Sequence, residues 1–372
     1  MTHRSLYGSL RRRYLNLLLV HPTAKESKDV ENHLWMQTSY AFIASYKQRI
    51  ALLDPAKQNH QRNQQQQGPP KAVEHRKLVQ RFRQFLADEE KFWTQVLLRL
   101  LRLFDLHEAK PALIALGLLN EVDEVVPVPD GGTDGVVHGV NGRNHFQFPP
   151  EDTSISFAPT TSEEREARLA TLSKALICLG DIARYRELYN ESNGRPRAGH
   201  EDAGPARRGR NRRGGAPEAA PRPRNYDKAQ QCYEQARLLV PDDGNASHQL
   251  AILSSYQKDS FASLFHYYRA LCVRQPYDTA AENLGTVLTK ALDSWRQRMR
   301  REKDKIEVSD GLSPRARIDL LKEKVVILHA LWRVGMEKGV DKYVLFVSPL
   351  PLSSHTFQDE IHWAKTQRKG GS

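Results

Sequence analysis

The feature that most constrains the fold of this 372-residue chain is a pattern that recurs at an offset of 34 residues. Ala229, Tyr233 and Ala236 are followed at that offset by Ser263, Tyr267 and Ala270, and the pair Leu250–Ala251 by Leu284–Gly285. Residues three and four apart share one face of an α-helix. A small residue on such a face admits the ring of a facing helix, so the pattern describes antiparallel helix pairs in close approach.

Thirty-four residues is the tetratricopeptide period. Leu179–Gly180 stands 71 residues before Leu250–Ala251, 37 more than one period. The surplus matches an Arg/Gly/Pro-rich stretch, so 190–225 reads as a disordered insertion between the two helices of the first repeat. Pro241 and Pro276 close successive repeats. Upstream the periodicity is helical as well. Trp35, Phe42, Tyr46, Ile50 and Leu53 mark one helix face, and Leu78, Phe82, Phe85, Leu86, Trp93, Val96, Leu97, Leu100 and Phe104 a longer one. Leu169, Leu172, Leu176, Leu179 and Ala183 mark a third, opened by a capping box of Thr161 and Glu164. A flexible loop is expected at 122–152, and strand-like alternation is rare. The predicted fold is all-α. After about residue 295 the repeat fades into a basic linker and the start of a further helical region (296–340), then an irregular tail (341–372).

The formal net charge of +12 favours an anionic partner. Nine Arg against three acidic residues in 195–224, and six basic against two acidic in 296–305, carry ten of those twelve charges. "RRGRNRRGG" has no apolar residue to order it. Its Arg207, Arg208, Arg210, Arg212 and Arg213 are candidates for contact with nucleic-acid phosphates, and a low-complexity insertion without a defined role accounts for them equally well. Cys178, Cys232 and Cys272 are widely spaced, which suits buried reduced thiols of an intracellular protein better than disulfides or zinc ligands. No apolar run reaches transmembrane length, so no membrane partner is expected. The first 24 residues hold four Arg and no acid, and are read as the first helix of a bundle rather than a mitochondrial presequence.

There is no P-loop, no GxGxxG after a strand, no GxSxG and no HExxH. His355 and His362 lack a third ligand, so neither a metal nor a cofactor is expected, and Asp88, Glu89 and Glu90 read as the solvated face of the long helix. The chain is expected not to be an enzyme. What remains is "CLGDIARYR" at 178–186. Arg184 in a groove lined by repeat helices, beside the Tyr185 hydroxyl, would suit a phosphate group through bidentate charge-assisted bonds and one neutral donor. On periodicity alone the competing reading is an exposed Arg184 paired with Asp181 or Glu187, with Arg186 simply at the surface.

Four stretches, "LWMQTSYAFIASYKQRI", "ALICLGDIARYR", "YDKAQQCYEQARLLVPDDGNASHQLAIL" and "FHYYRALCVRQPYDTAAENL", resemble the family of telomerase-associated Ever Shorter Telomeres proteins and SMG adaptors of nonsense-mediated mRNA decay. The resemblance covers most of 28–295 and implies a 14-3-3-like antiparallel helical array with tetratricopeptide-like repeats over 1–295. In that fold "GD-x-x-RY" carries phosphate-binding residues, which gives that role to Arg184 and Tyr185. The family's early-helix lysine aligns with Tyr40, the basic residue two turns later with Lys47, and an asparagine that contacts the ligand backbone with His248. A phosphopeptide-binding site of Arg184, Tyr185, Lys47 and His248 is thereby implied, with the phosphorylated RNA helicase of nonsense-mediated decay as its partner. The alternative it implies is a telomere- or telomerase-associated accessory protein that binds single-stranded RNA or telomeric DNA through its basic segments. A heterodimer with a family paralogue, and residence in nucleus and cytoplasm, are further expectations. No part of the chain fits the PIN nuclease domain that some members carry.

Overall fold

Thr161 caps its helix as the sequence requires, its hydroxyl accepting from the backbone N–H of Glu164 at 3.2 Å. The Glu164 carboxylate turns back onto the preceding residue, accepting from the N–H and the hydroxyl of Thr160 at 2.9 Å each. These bonds hold its pKa below the ordinary carboxylate value. The helix so opened is buried on nearly every side from Leu172 to Ile182. It is the element that carries the candidate residues Arg184 and Tyr185.

A computed structural model of the chain describes residues 3–53, 69–120, 146, 148–151, 156–190, 224–301 and 313–338. The helices are α1 (His3–Leu19), α2 (Val30–Leu34), α3 (Ala41–Leu53), α4 (Pro69–Leu103), α5 (Lys110–Ala115) and α6 (Ser162–Leu188). Then follow α7 (Asp227–Leu239), α8 (Gly244–Tyr256), α9 (Ser260–Leu271), α10 (Thr279–Arg301) and α11 (Pro314–Lys338). A π-helical turn, Trp35–Tyr40, joins α2 to α3. Among the described residues there is no strand, only an isolated parallel bridge between Asp243 and Gln275. The protein is an all-α array of packed helices. It divides into two compact units, Met1–Leu284 and Gly285–Ser372, the first ending inside α10.

Within the first unit the 34-residue pattern is a packing pattern. Ala229, Tyr233 and Ala236 on α7 and Ser263, Tyr267 and Ala270 on α9 are all buried. Gly180 of α6 receives the Tyr233 ring so closely that a Cβ there would lie 2.5 Å from Tyr233 Cε1. One repeat later, the Ser263 hydroxyl donates to the Ala251 carbonyl at 3.0 Å. The ends of the repeats are latched by backbone bonds, Gly244 N–H to the Gln275 carbonyl and Gln275 N–H to the Asp242 carbonyl, both at 2.9 Å. In the second unit, the basic end of α10 pairs with α11 through Arg298 and Glu323.

Three sequence expectations are corrected. Asp88, Glu89 and Glu90 are not a solvated face, because Glu89 is only 2% exposed and Glu90 is buried too. Glu89 accepts from Arg11 of α1 at 2.9 Å and from the Ser39 hydroxyl at 2.6 Å, while Glu90 pairs with Arg186 and Lys228. Ser39 reaches Glu89 from the π turn, where the apolar stripe of residues 35–53 is stepped: Trp35 and Ile43 are buried, whereas Phe42 and Tyr46 are half-buried against Phe85 and Phe82. Cys272 is exposed, whereas Cys178 and Cys232 are buried with their thiol pKa values raised by burial, that of Cys232 to about 12. Most of the 122–152 loop and the 190–225 insertion, with Arg207, Arg208, Arg210, Arg212 and Arg213, lies outside the described residues, as does the tail at 341–372.

The Gly180–Tyr233 contact makes a stability prediction. Gly180→Val overpacks the α6–α7 junction and is expected to cost about 1–3 kcal/mol. Thermal unfolding followed by circular dichroism should show a clearly lower midpoint. Gly8→Ala, at a helical glycine with open space around it, should show no loss.

Candidate anion-binding site

Two charged residues of α6, Asp181 and Arg184, sit in the interior, Arg184 with only 6% of its surface exposed. A charge taken out of water must be paired or it does not stay charged. The Arg184 Nη2 donates to Asp181 Oδ1 at 2.7 Å, and the Tyr233 hydroxyl donates to the same oxygen at 2.6 Å. Burial alone would lower the Arg184 pKa, but the Asp181 carboxylate together with the surrounding Tyr233, Tyr185 and Tyr256 more than offsets it, and the pKa is raised. The guanidinium is a fixed cation with one N–H, at Nε, buried and without an acceptor. Such an orphaned donor costs on the order of 1–3 kcal/mol.

A second cation comes from α3. Lys47 Nζ stands 5.1 Å from the centroid of the Tyr185 ring, and Arg184 Cζ stands 5.2 Å from the same centroid. Lys47 is half-buried, and its pKa is lowered first by that burial and then by the Arg184 charge, with Asp181 pulling the other way. Burial and the Asp181 charge raise the Tyr185 pKa, so its phenol keeps its proton and remains a donor. Tyr40 is close enough to Tyr185 to add to that shift.

His248 enters from α8. Its ring is buried between Tyr267 and Tyr277, whose centroids lie 5.7 and 4.5 Å away. Its Nε2 is 3.5 Å from the Asn283 amide nitrogen, and its Nδ1 is buried with no partner. Burial, reinforced by the Arg184 charge, pushes its pKa down to about 4. At neutral pH the imidazole is therefore uncharged.

Lys47, Tyr185, Arg184 and His248, singled out in the sequence, are thus brought to one place. Two cations face a single carboxylate there, in a setting that strengthens electrostatic interaction. The arrangement is chemically suited to an oxyanion. The competing sequence reading is half right, because Arg184 does pair with Asp181, but inside the protein. Asp181, which pairs with the guanidinium, and Tyr233, which donates to Asp181, were legible only as a surface partner and as a packing ring. Among the described residues, no group of three or more His, Cys, Asp or Glu side chains could hold a metal ion, and no helix is long and apolar enough to cross a membrane.

The fold and this buried cationic cluster define a helical-repeat protein with a candidate oxyanion site. Comparison with known proteins makes the class specific. Residues 29–190 match the family model described as "Telomerase activating protein Est1", and residues 229–349 match "Est1 DNA/RNA binding domain". The chain belongs to the Est1/SMG family. It is 26% identical over 291 residues to the nonsense-mediated mRNA decay factor SMG7 of Arabidopsis thaliana, covering 78% of this chain and 22% of that protein. Identity to the telomerase-binding protein EST1A of Danio rerio is 28% over 166 residues, covering 43% of this chain and 9% of that protein. The chain thus spans about a fifth or less of the length of these relatives. A solved structure described as "Crystal structure of Est1 and Cdc13" aligns with a TM-score of 0.46 at 12% identity, over 82% of this chain and 46% of that one.

The buried imidazole gives the site a pH signature. Because the folded pKa of about 4 lies below the ordinary 6.5, the unfolded chain binds more protons between those values. Stability contributed by neutral His248 is therefore lost as the pH falls through that window. Urea unfolding midpoints of wild type and His248→Asn, measured from pH 7 to pH 4, should converge or cross as the pH drops, the variant showing the shallower decline.

Proposed function

We propose that this chain is a non-enzymatic adaptor module and that the Arg184 site receives a phosphorylated segment of a protein partner. The observation that carries the reading is the surplus cation at a buried place, an Arg184 guanidinium with an unsatisfied Nε–H beside half-buried Lys47. A phosphate monoester brings about −1.5 to −2 charges and three strong acceptor oxygens. Those acceptors match Arg184, Lys47 and the Tyr185 phenol. Tyr40 and His248 stand where the family resemblance expects a lysine and an asparagine, so two cations hold the phosphate. Binding is accordingly expected to be phosphate-dependent and modest. The names of the relatives, a nonsense-mediated decay factor and a telomerase-binding protein, support an adaptor role in one of those pathways. The phosphorylated RNA helicase of nonsense-mediated decay is the partner we propose, in the nucleus and cytoplasm.

A second reading, a nucleic-acid-binding accessory protein of telomerase, is favoured by the description of the family model that matches residues 229–349.

Calorimetric titration separates them. A Ser-Gln peptide should bind at least about tenfold more tightly when its serine is phosphorylated, a difference of about 1.4 kcal/mol. Lys47→Ala should weaken only the phosphorylated peptide, and Arg184→Glu should abolish its binding, with circular dichroism confirming that each variant is folded. Equal affinity for the two peptides would sink the adaptor reading.

A further inference from the structure

In the second unit, α11 has two apolar faces, and one of them lies at the surface. Val326, Ile327 and Ala330 are buried, on the side where Glu323 pairs with Arg298 of α10 and Arg333 lies over Gly285. Ile318, Leu321, Leu328 and Trp332 are instead between 37% and 60% exposed. With half-buried Val325 they step by three, four, three and four residues. At 3.6 residues per turn that series is one continuous stripe, on the side of the helix opposite the buried face. Single exposed apolar residues are ordinary, whereas a contiguous apolar stripe bordered by charge marks a surface that meets a partner.

The spacing says what shape covers the stripe, and the charges say which chemistry. Alternating steps of three and four are the seam by which one α-helix packs along another. Arg317 and Lys324 border one edge of the stripe and Arg315 and Lys322 the other, whereas Asp319 and Glu323 fall toward the α10 side. His329 shares the second edge, but burial lowers its pKa and leaves it uncharged at neutral pH. With Ile318 at a and Leu321 at d, Arg317 and Lys324 hold g positions and Lys322 an e position. A second copy of α11 would set these cations against one another in either orientation. A helix with carboxylates at e and g would meet cations instead. The chain's own 341–372 segment is a poor match. Its apolar run "YVLFVSPLPL" carries Pro349 and Pro351, and the acidic pair Asp359 and Glu360 is followed by Lys365, Arg368 and Lys369.

We propose that the outer face of α11 docks an acidic amphipathic α-helix of a protein partner, its apolar seam along the stripe from Ile318 to Trp332 and its flanking carboxylates against Arg317, Lys322 and Lys324. Nucleic acid, the ligand class in the description of the family model over 229–349, fits this face poorly. Four of the five stripe residues are aliphatic and offer no ring on which a base could stack. The face uses none of the residues of the Arg184 site, so it stands whether or not a phosphopeptide binds there.

The test uses the full chain and two designed, labelled three-heptad peptides with Ile at a and Leu at d, one with Glu at e and g and the other with Lys there. Fluorescence anisotropy should show the Glu peptide binding at least about tenfold more tightly than the Lys peptide. Leu321→Ser should weaken the Glu peptide by about tenfold or more, a loss that a polyanion held by the basic edges alone would not show. Arg317→Glu/Lys324→Glu should reverse the preference between the peptides. These three side chains are exposed, so the variants are expected to fold, which circular dichroism checks. Equal affinity for the two peptides, or binding unchanged in Leu321→Ser, would overturn the proposal. A full chain with p-benzoylphenylalanine in place of Leu328, irradiated with the Glu peptide and read by mass spectrometry, should give adducts to the peptide. Adducts to a second copy of the chain, to its own 341–372 segment, or to an added single-stranded RNA in place of the peptide would equally overturn it.

Discussion

One carboxylate organises the interior of the first unit. Asp181 accepts from the Arg184 guanidinium and from the Tyr233 hydroxyl through the same oxygen, at 2.7 and 2.6 Å. It keeps a buried arginine charged and positions its planar fork. It also ties α6 to α7 where Gly180 admits the Tyr233 ring. The contact that closes the first repeat and the contact that presents the cation are therefore the same contact. Removing the carboxylate would leave an uncompensated buried guanidinium, a loss of about 3–5 kcal/mol by the usual measure of broken buried pairs.

The other buried acids follow a common rule, because each meets a cation contributed by another helix. Glu89 of α4 meets Arg11 of α1, Glu31 of α2 meets Lys174 of α6, and Glu90 of α4 meets Arg186 of α6 and Lys228 of α7. Such pairs contribute little net stability, but they penalise any arrangement in which the helices meet other neighbours. Against this background of matched interior charge, Arg184 with Lys47 sets two cations against one carboxylate, and the Arg184 Nε is left without an acceptor.

Much of the fold was legible in the sequence because helical packing leaves a periodic trace. The recurring Ala229–Tyr233–Ala236 and Ser263–Tyr267–Ala270 sets are the buried faces of α7 and α9, and Thr161 and Glu164 cap α6. Residues of the Arg184 site were legible through family resemblance, since periodicity alone cannot say whether an arginine beside an aspartate lies inside or outside. Glu89 and Glu90 were misread, although a signal existed. The apolar stripe of α4 skips from Leu86 to Trp93, and residues 89 and 90 fall in that gap on the buried face. Their partners on α1, α6 and α7 lie far away in sequence, where no local pattern reaches.

Whether the orphaned Nε–H of Arg184 is a waiting donor decides between a ligand site and a purely structural ion pair. The most direct measurement is the ¹⁵N–¹H correlation of arginine side chains, with the Arg184 Nε–H peak assigned by its loss in Arg184→Lys. Addition of a phosphoserine peptide should move that peak downfield as the N–H gains an acceptor, while the unphosphorylated peptide leaves it in place. A peak that stays fixed while the phosphopeptide binds and shifts other arginines would contradict a ligand site at Arg184.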